Sequence, residues 1–413
     1  MQGTIRTLAT CLLVTSASLM SCKVTFAGNW TQFRGTDSSG VANTEKLPTK
    51  WSNKENIAWQ QKLPGRGLSS PIVVGDKVYV TASSGPLQDR LHVLCFDAGS
   101  GKQIWERQFW STGNTTCHPK TCIAAPTPAS DGERIFAFFS TNDMACLDLD
   151  GNLLWYRGLT HDYPNASNSV GMSSSPVVVG DTVVVQVECQ AESFAAGLDV
   201  KTGENRWRIP RPKNANWSSP IALRVGNDPD GAPNAVLLQS SEDLRACDPK
   251  TGKPLWIHPT KCSSIPSCAK DGDVLFVPAG GLTAFQLAGG DKEPTVVWKE
   301  QRLGASTASP LVYNGRVYTL NGAGVLNAAD AKTGEIVWKL RLKGPFSATP
   351  VVADGLLYFF NEEGLGQVVK PGDKEGEIIA TSTLGEVILC TPAIANQSLF
   401  IRSDGHLWKI SKT

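Results

Sequence analysis

The chain has 413 residues, with 39 Lys plus Arg against 38 Asp plus Glu, for a net charge of +1. Such a balance gives no global field to hold nucleic acid or an anionic membrane, which removes nucleic acid from the partner classes. Its 39 glycines and 25 prolines are spread along the sequence and suit many short strands joined by tight turns.

The first segment, 1–27, reads as a signal peptide: Arg6 is the positive end, Leu8 to Met20 is mostly small and apolar, and Thr25-Phe26-Ala27 precedes cleavage. The mature protein is then exported, to the periplasm or the cell surface. Leu19-Met20-Ser21-Cys22 offers the alternative of a lipoprotein leader ending at residue 21, with Cys22 as a lipid anchor and the sole membrane contact. No later stretch approaches the roughly 18 apolar residues a membrane helix needs. Residues 28–55 form a lead-in, and 56–413 carry a repeat.

That repeat places a tryptophan eight positions after an aspartate, with a glycine turn between, at Asp97 to Trp105, Asp199 to Trp207, Asp248 to Trp256 and Asp330 to Trp338. Asp148 to Trp155 is one residue shorter, and Trp298 ends a copy whose turn is lengthened around Gly289-Gly290. Lys-Thr-Gly at 201–203, 250–252 and 332–334 is a hairpin turn whose glycine is free to take positive φ.

A second landmark is a residue before proline followed by a short apolar run: Ser70-Pro71, Thr127-Pro128, Ser175-Pro176, Ser219-Pro220, Ile265-Pro266, Ser309-Pro310, Thr349-Pro350 and Thr391-Pro392. The prolines lie 57, 48, 44, 46, 44, 40 and 42 residues apart, the length of a four-stranded blade. The expected fold is all-β: one eight-bladed β-propeller of four-stranded antiparallel blades, with small residues where the inner strands converge. The outer-strand tryptophans Trp105, Trp155, Trp207, Trp256, Trp298 and Trp338 are expected in the seams between blades. Cys95 and Cys146, two residues before their aspartates, read as core fillers. The last copy supplies three strands, so Asn56 to Lys62, carrying Trp59, is expected to close the last blade as an N-terminal outer strand.

The pattern Ala-x-Asp-x-x-Thr-Gly-x-x-x-Trp, at Ala246 to Trp256 and Ala328 to Trp338, resembles the pyrroloquinoline-quinone (PQQ)-like repeat shared by quinoprotein alcohol dehydrogenases and an outer-membrane barrel-assembly lipoprotein of Gram-negative bacteria. Trp30-Thr31-Gln32-Phe33-Arg34-Gly35 and Pro64-Gly65-Arg66-Gly67 also look like the opening of a group of secreted bacterial propellers. The resemblance covers roughly Trp30 to the end and implies a fold, since fold does not fix function. For an enzyme of that family it implies a lid of two adjacent cysteines, a tryptophan floor, a calcium ion held by Glu, Asn and Asp, and a catalytic aspartate. No two cysteines are adjacent here, and there is no Cys-x-x-Cys-His haem site.

Candidate site residues come from long loops expected on the funnel face. Cys117-His118-Pro119-Lys120-Thr121-Cys122 allows a Cys117–Cys122 disulfide, free thiols or a partial metal site, and an oxidising compartment favours the disulfide. His161, Asp162 and Tyr163 lie on the next long connection, and with Arg66, His118, Lys120, Lys213 and Lys261 they would ring a locally basic funnel. Trp217 is placed to stack a flat ligand or simply to pack. No serine-hydrolase elbow, phosphate loop or histidine metal pair is present, so no catalytic or metal residue is assigned.

The expected function is a non-enzymatic extracytoplasmic scaffold, monomeric and without a cofactor, binding a protein, peptide or glycan partner in cell-envelope assembly. The alternative is a PQQ- and calcium-dependent or other small-ligand dehydrogenase with a divergent site lined from Arg66, Trp217 and the two long loops. A polysaccharide-acting enzyme would need two carboxylates, and Asp162 is the sole acid placed in the funnel.

Overall fold

Each Asp-to-Trp copy forms the third strand, turn and fourth strand of an antiparallel sheet, and eight such sheets make the molecule. The structure, a computed structural model, describes residues 28–167, 170–226 and 231–412. The 1–27 segment and Cys22, which carry the export and lipidation expectations, lie outside the described residues. Blade 1 consists of Ile72–Val74, Lys77–Ser84, Arg90–Asp97 and Gln103–Trp110, and blades 2 to 7 repeat that order. Their inner strands are Ala129–Ser130, Val177–Val179, Ile221–Leu223, Ala269–Asp271, Leu311–Tyr313 and Val351–Ala353.

Blade 8 confirms the expected closure. Its inner three strands, Ala393–Ala395, Ser398–Arg402 and His406–Ser411, receive Ile57–Lys62 as the outer strand, with Gln60 opposite Trp408. Joining the two ends of the fold in one sheet leaves the ring without an open seam. The lead-in also adds Val41–Ala42 in parallel to the inner strand of blade 7, a pairing that its two residues do not advertise.

The seams explain why the repeat pairs a tryptophan with a glycine. The Trp207 indole of blade 3 donates through Nε1 to the Pro249 carbonyl in the next blade's turn at 2.8 Å. Trp59, Trp105, Trp155, Trp298 and Trp338 make the equivalent bond to Ala98, Leu149, Val200, Ala331 and Gly372. Under each ring lies the next turn's glycine: a Cβ on Gly252 would stand 2.6 Å from Trp207. Trp256 faces the lengthened turn of blade 5, is equally buried, and its Nε1 has no partner. The repeat aspartates hold the turns, Asp330 Oδ1 accepting from the Lys332 and Thr333 N–H groups at 2.9 and 3.0 Å. Cys95 and Cys146 are fully buried in the blades, and burial pushes both thiols up to about 12.

The inner strands are tied by a ring of hydroxyls. The Ser70 N–H donates to Thr127 Oγ1 at 3.0 Å, Thr127 to Ser175 at 3.0 Å, and Ser175 to Ser219 at 2.9 Å. Ser219 continues to Ser267 at 2.9 Å, Ser267 to Ser309 at 3.0 Å, Ser309 to Thr349 at 3.0 Å and Thr349 to Thr391 at 3.1 Å. This corrects one landmark. In blade 5 the ring residue is Ser267 followed by Cys268, and Ile265-Pro266 lies two residues ahead of it. The hydroxyl, which takes the neighbouring blade's otherwise unpaired N–H, marks the start of an inner strand more faithfully than the proline does.

Candidate functional site: the axial funnel

Connections from an outer strand to the next inner strand emerge on one face together with the turns between second and third strands, and the other turns of each blade emerge on the opposite face. On the loop face a cavity of about 420 Å³ runs down the axis to the hydroxyl ring, within the range of small-molecule sites. The lead-in closes it from the turn face. Asn29 accepts from the Gly75 N–H at 2.9 Å, Thr31 from Ser130 at 2.8 Å, and the Arg34 guanidinium reaches the Cys268 carbonyl at 2.5 Å. That path carries the lead-in across the axis and sets Phe33 in the cavity lining as its floor.

The roof is built from the loop after blade 1. Arg66 donates to the carbonyls of Thr121 and Pro119, each at 2.8 Å, and its Nε lies 3.4 Å from Asp404. Lys120 reaches Glu362 of blade 7 at 2.9 Å, and the His118 N–H meets the Val170 carbonyl at 3.1 Å. Trp217 donates from Nε1 to the Gly171 carbonyl at 2.7 Å, which fixes its ring as a wall.

Of the residues expected in the funnel, His118, Lys120 and Trp217 line the cavity. Arg66 is spent on bracing the roof. His161 and Asp162 end a one-turn helix, Leu159–Asp162, and with Tyr163 they are not part of the cavity lining. Asp162 pairs with Arg157, while the Tyr163 ring packs on Phe194 at 4.4 Å under Arg208 at 4.5 Å. Cys117 and Cys122 are free thiols packed against one apolar cluster, and Cys262, Cys268 and Cys390 are free and buried. Burial pushes the Cys122 thiol up to about 12. The sequence reading missed Phe33, Leu389 and the ring itself as lining. The Ser/Thr-Pro landmarks carried the ring's signal without its meaning.

A buried ionic network behind Trp217 was also missed. Arg211 donates to Glu188 at 2.6 Å and to Asp243 at 3.1 Å, and Asn216 donates to the second Glu188 oxygen at 2.9 Å. Burial raises the Glu188 carboxyl, outweighing the pull of Arg211 and Asn216. Burial also acts on Asp243, but Arg245 and Arg211 together hold its carboxyl below the usual range.

These three residues, a Glu, an Asn and an Asp, are the types that would hold calcium beneath a quinone. They do not fit that role here, because the Arg211 guanidinium already bridges both carboxylates and Arg245 pairs with Asp243 as well, so two cations already match the two acids. Among the described residues no group of three or more His, Cys, Asp or Glu side chains is placed to hold a metal ion.

A family model described as outer membrane protein assembly factor BamB matches overlapping stretches at 41–218, 165–286, 213–324, 278–376 and 324–413. A protein of that name from Burkholderia pseudomallei is 28% identical over 199 residues, spanning 47% of this chain and 43% of that relative. The match therefore covers less than half the relative's length. Among solved structures, BamB from Moraxella catarrhalis superposes with a TM-score of 0.64 at 17% identity, covering 86% of this chain and 97% of that one. Quinohemoprotein alcohol dehydrogenase from Comamonas testosteroni gives 0.69 at 13% identity, covering 94% and 81%. A europium-containing methanol dehydrogenase gives 0.66 at 15%, covering 92% and 90%. At such identities the structures share a fold with this chain, and the fold spans binders and enzymes alike.

Proposed function

This chain belongs to the PQQ-like repeat β-propeller family, and from that premise we propose that it is a periplasmic docking scaffold for a protein partner in outer-membrane assembly. Export through the 1–27 segment, either as a soluble monomer or anchored at Cys22, is part of the proposal.

The observation that carries it is an ordered, exposed aromatic patch at the rim of blade 1. Trp110, the last residue of the outer strand, is 62% exposed, and Leu87, in the turn before Arg90–Asp97, is 65% exposed. Arg90 stacks on the Trp110 ring at 4.5 Å, and Phe109 stacks on Tyr156 at 5.2 Å. Tyr156 in turn donates its hydroxyl to the Trp110 carbonyl at 3.1 Å. Trp, Tyr and Arg held in place before contact are the residues that dominate protein interfaces, because little side-chain entropy is lost on docking. The dehydrogenase alternative has weaker support, since Arg211 occupies the place a cation would need.

The test is affinity capture from solubilised cell envelopes with the mature protein and with Trp110→Ala. Recovery of outer-membrane assembly proteins by the unaltered protein, cut at least tenfold by the substitution, is the expected result. Calorimetric titration with pyrroloquinoline quinone and calcium is the counter-test. Micromolar, calcium-dependent heat would replace the scaffold reading with the enzymatic one.

A further inference from the structure

The axial cavity has a donor-rich floor with an uncompensated charge beneath it. Seven of the ring hydroxyls each accept an N–H from the preceding blade, from Thr127 round to Thr391. An oxygen that accepts in this way still has its own proton to give. Among the described residues no ring hydroxyl, Ser70 included, donates to a protein acceptor, and all eight lie in the cavity lining. The floor is thus a circle of O–H donors without acceptors.

Arg34 supplies the charge. It is 1% exposed, makes one hydrogen bond, to the carbonyl that follows ring residue Ser267, and leaves Nε and Nη1 with no partner. No carboxylate among the described residues pairs with it. Its guanidinium carbon lies 5.4 Å from the centroid of Phe33, the cavity floor. Asp37 acts on it only through space, without an ion pair. A buried cation without a paired carboxylate is costly, and its field is weakly screened inside the protein.

Above the floor the walls turn apolar, with Leu68, Val170, Trp217, Ile265 and Leu389. Lys120, the lysine in the cavity lining, is already matched by Glu362. We propose that this cavity binds a free apolar monocarboxylate, its carboxylate on the hydroxyl ring over Arg34 and its hydrocarbon or aryl body against Trp217 and Leu389. One negative charge answers Arg34; the second buried guanidinium without a carboxylate partner, Arg402, is held instead by the Ser69 hydroxyl and the Thr81 carbonyl. A volume of about 420 Å³ under a roof tied from Lys120 to Glu362 admits a small molecule rather than a folded partner. This site is separate from the Trp110 patch and does not depend on the docking role.

The test is calorimetric titration of the mature protein with sodium benzoate and, as a neutral match in shape, benzamide, at fixed ionic strength. The expected result is saturable one-to-one binding of benzoate, with benzamide at least tenfold weaker. Arg34→Met, checked for native circular dichroism, should bring benzoate down to the level of benzamide, whereas Lys339→Gln, which removes an exposed charge on the outer strand of blade 6, should leave the preference intact. No heat with benzoate, equal binding of the two probes, or a preference that survives Arg34→Met would each overturn the assignment. The probe comparison needs no substitution, so it stands even if Arg34→Met does not fold. Capture through Trp110 is read in a different assay, so either idea can fail alone.

Discussion

Replacing Gly252 by alanine separates the two demands the repeat makes on its turn glycine. The residue sits at φ +69, and an added Cβ would lie 2.6 Å from Trp207 Cδ2 and 2.8 Å from Cγ. Left-handed backbone costs an alanine about 1–2 kcal/mol. The indole cannot retreat freely, because its Nε1 is held by Pro249 at 2.8 Å, so overpacking adds about 1–3 kcal/mol. The expected loss is about 2–5 kcal/mol. Gly180→Ala is the control: Gly180 has φ +58 and nothing within 4 Å of a new Cβ, so it meets the backbone cost alone. Urea denaturation followed by circular dichroism, with a common slope, reads the difference as a shift in midpoint. Equal losses in the two variants would refute the claim that the glycine is there for the neighbouring blade's tryptophan.

Trp207→Phe should cost about 1–3 kcal/mol more than Trp256→Phe in the same assay, since the first leaves the Pro249 carbonyl without its donor and the second removes an N–H that has no partner. Ser309→Ala should cost about 1–3 kcal/mol by orphaning the Ser267 N–H, whereas Ser309→Thr should be mild, because threonine already serves at 127, 349 and 391. Acid should destabilise the protein below about pH 4, where ordinary aspartates protonate. Burial would raise the Asp199 and Asp330 carboxyls, but the turn N–H donors hold them below their usual value. Their contribution is therefore present above the unfolded pKa and is lost as pH falls through the folded one. A melting temperature unchanged between pH 5 and pH 3 would contradict this.

The blades were legible because their signals are local and repeated. Aspartate, turn and tryptophan lie within nine residues, and the seam contact recurs blade after blade, so the spacing alone implies the packing. The start of blade 5 was misread where two signals separated, with proline at 266 and the hydroxyl at 267. The loops carry no such redundancy. His118 and Trp217 could be placed because an outer-to-inner connection must emerge on the funnel face. His161, Asp162 and Tyr163 obeyed the same rule but fall outside the cavity lining, held by one helical turn and by partners on strands, Arg157 and Arg208. The Glu188–Arg211–Asp243 network joins residues 23 and 32 positions apart, across a seam whose register spacing alone does not give.

What makes the propeller close also shapes what it can bind. Eight inner strands converging on an axis need small residues, and alanine would satisfy that need. Yet in seven blades the N–H of the ring residue just ahead of the inner strand bonds to a hydroxyl of the next blade, which alanine could not supply. Each such bond consumes an acceptor and leaves a donor, and the donors left over face the axis together. The cavity floor therefore acquires its polarity from the requirement of closure, while the outer faces and loops answer to no such requirement. The scaffold ring varies only between serine and threonine, and Trp110, Leu87 and the roof loop lie outside both the ring and the seams. Substitutions there can change a partner without touching the bonds that hold the blades together.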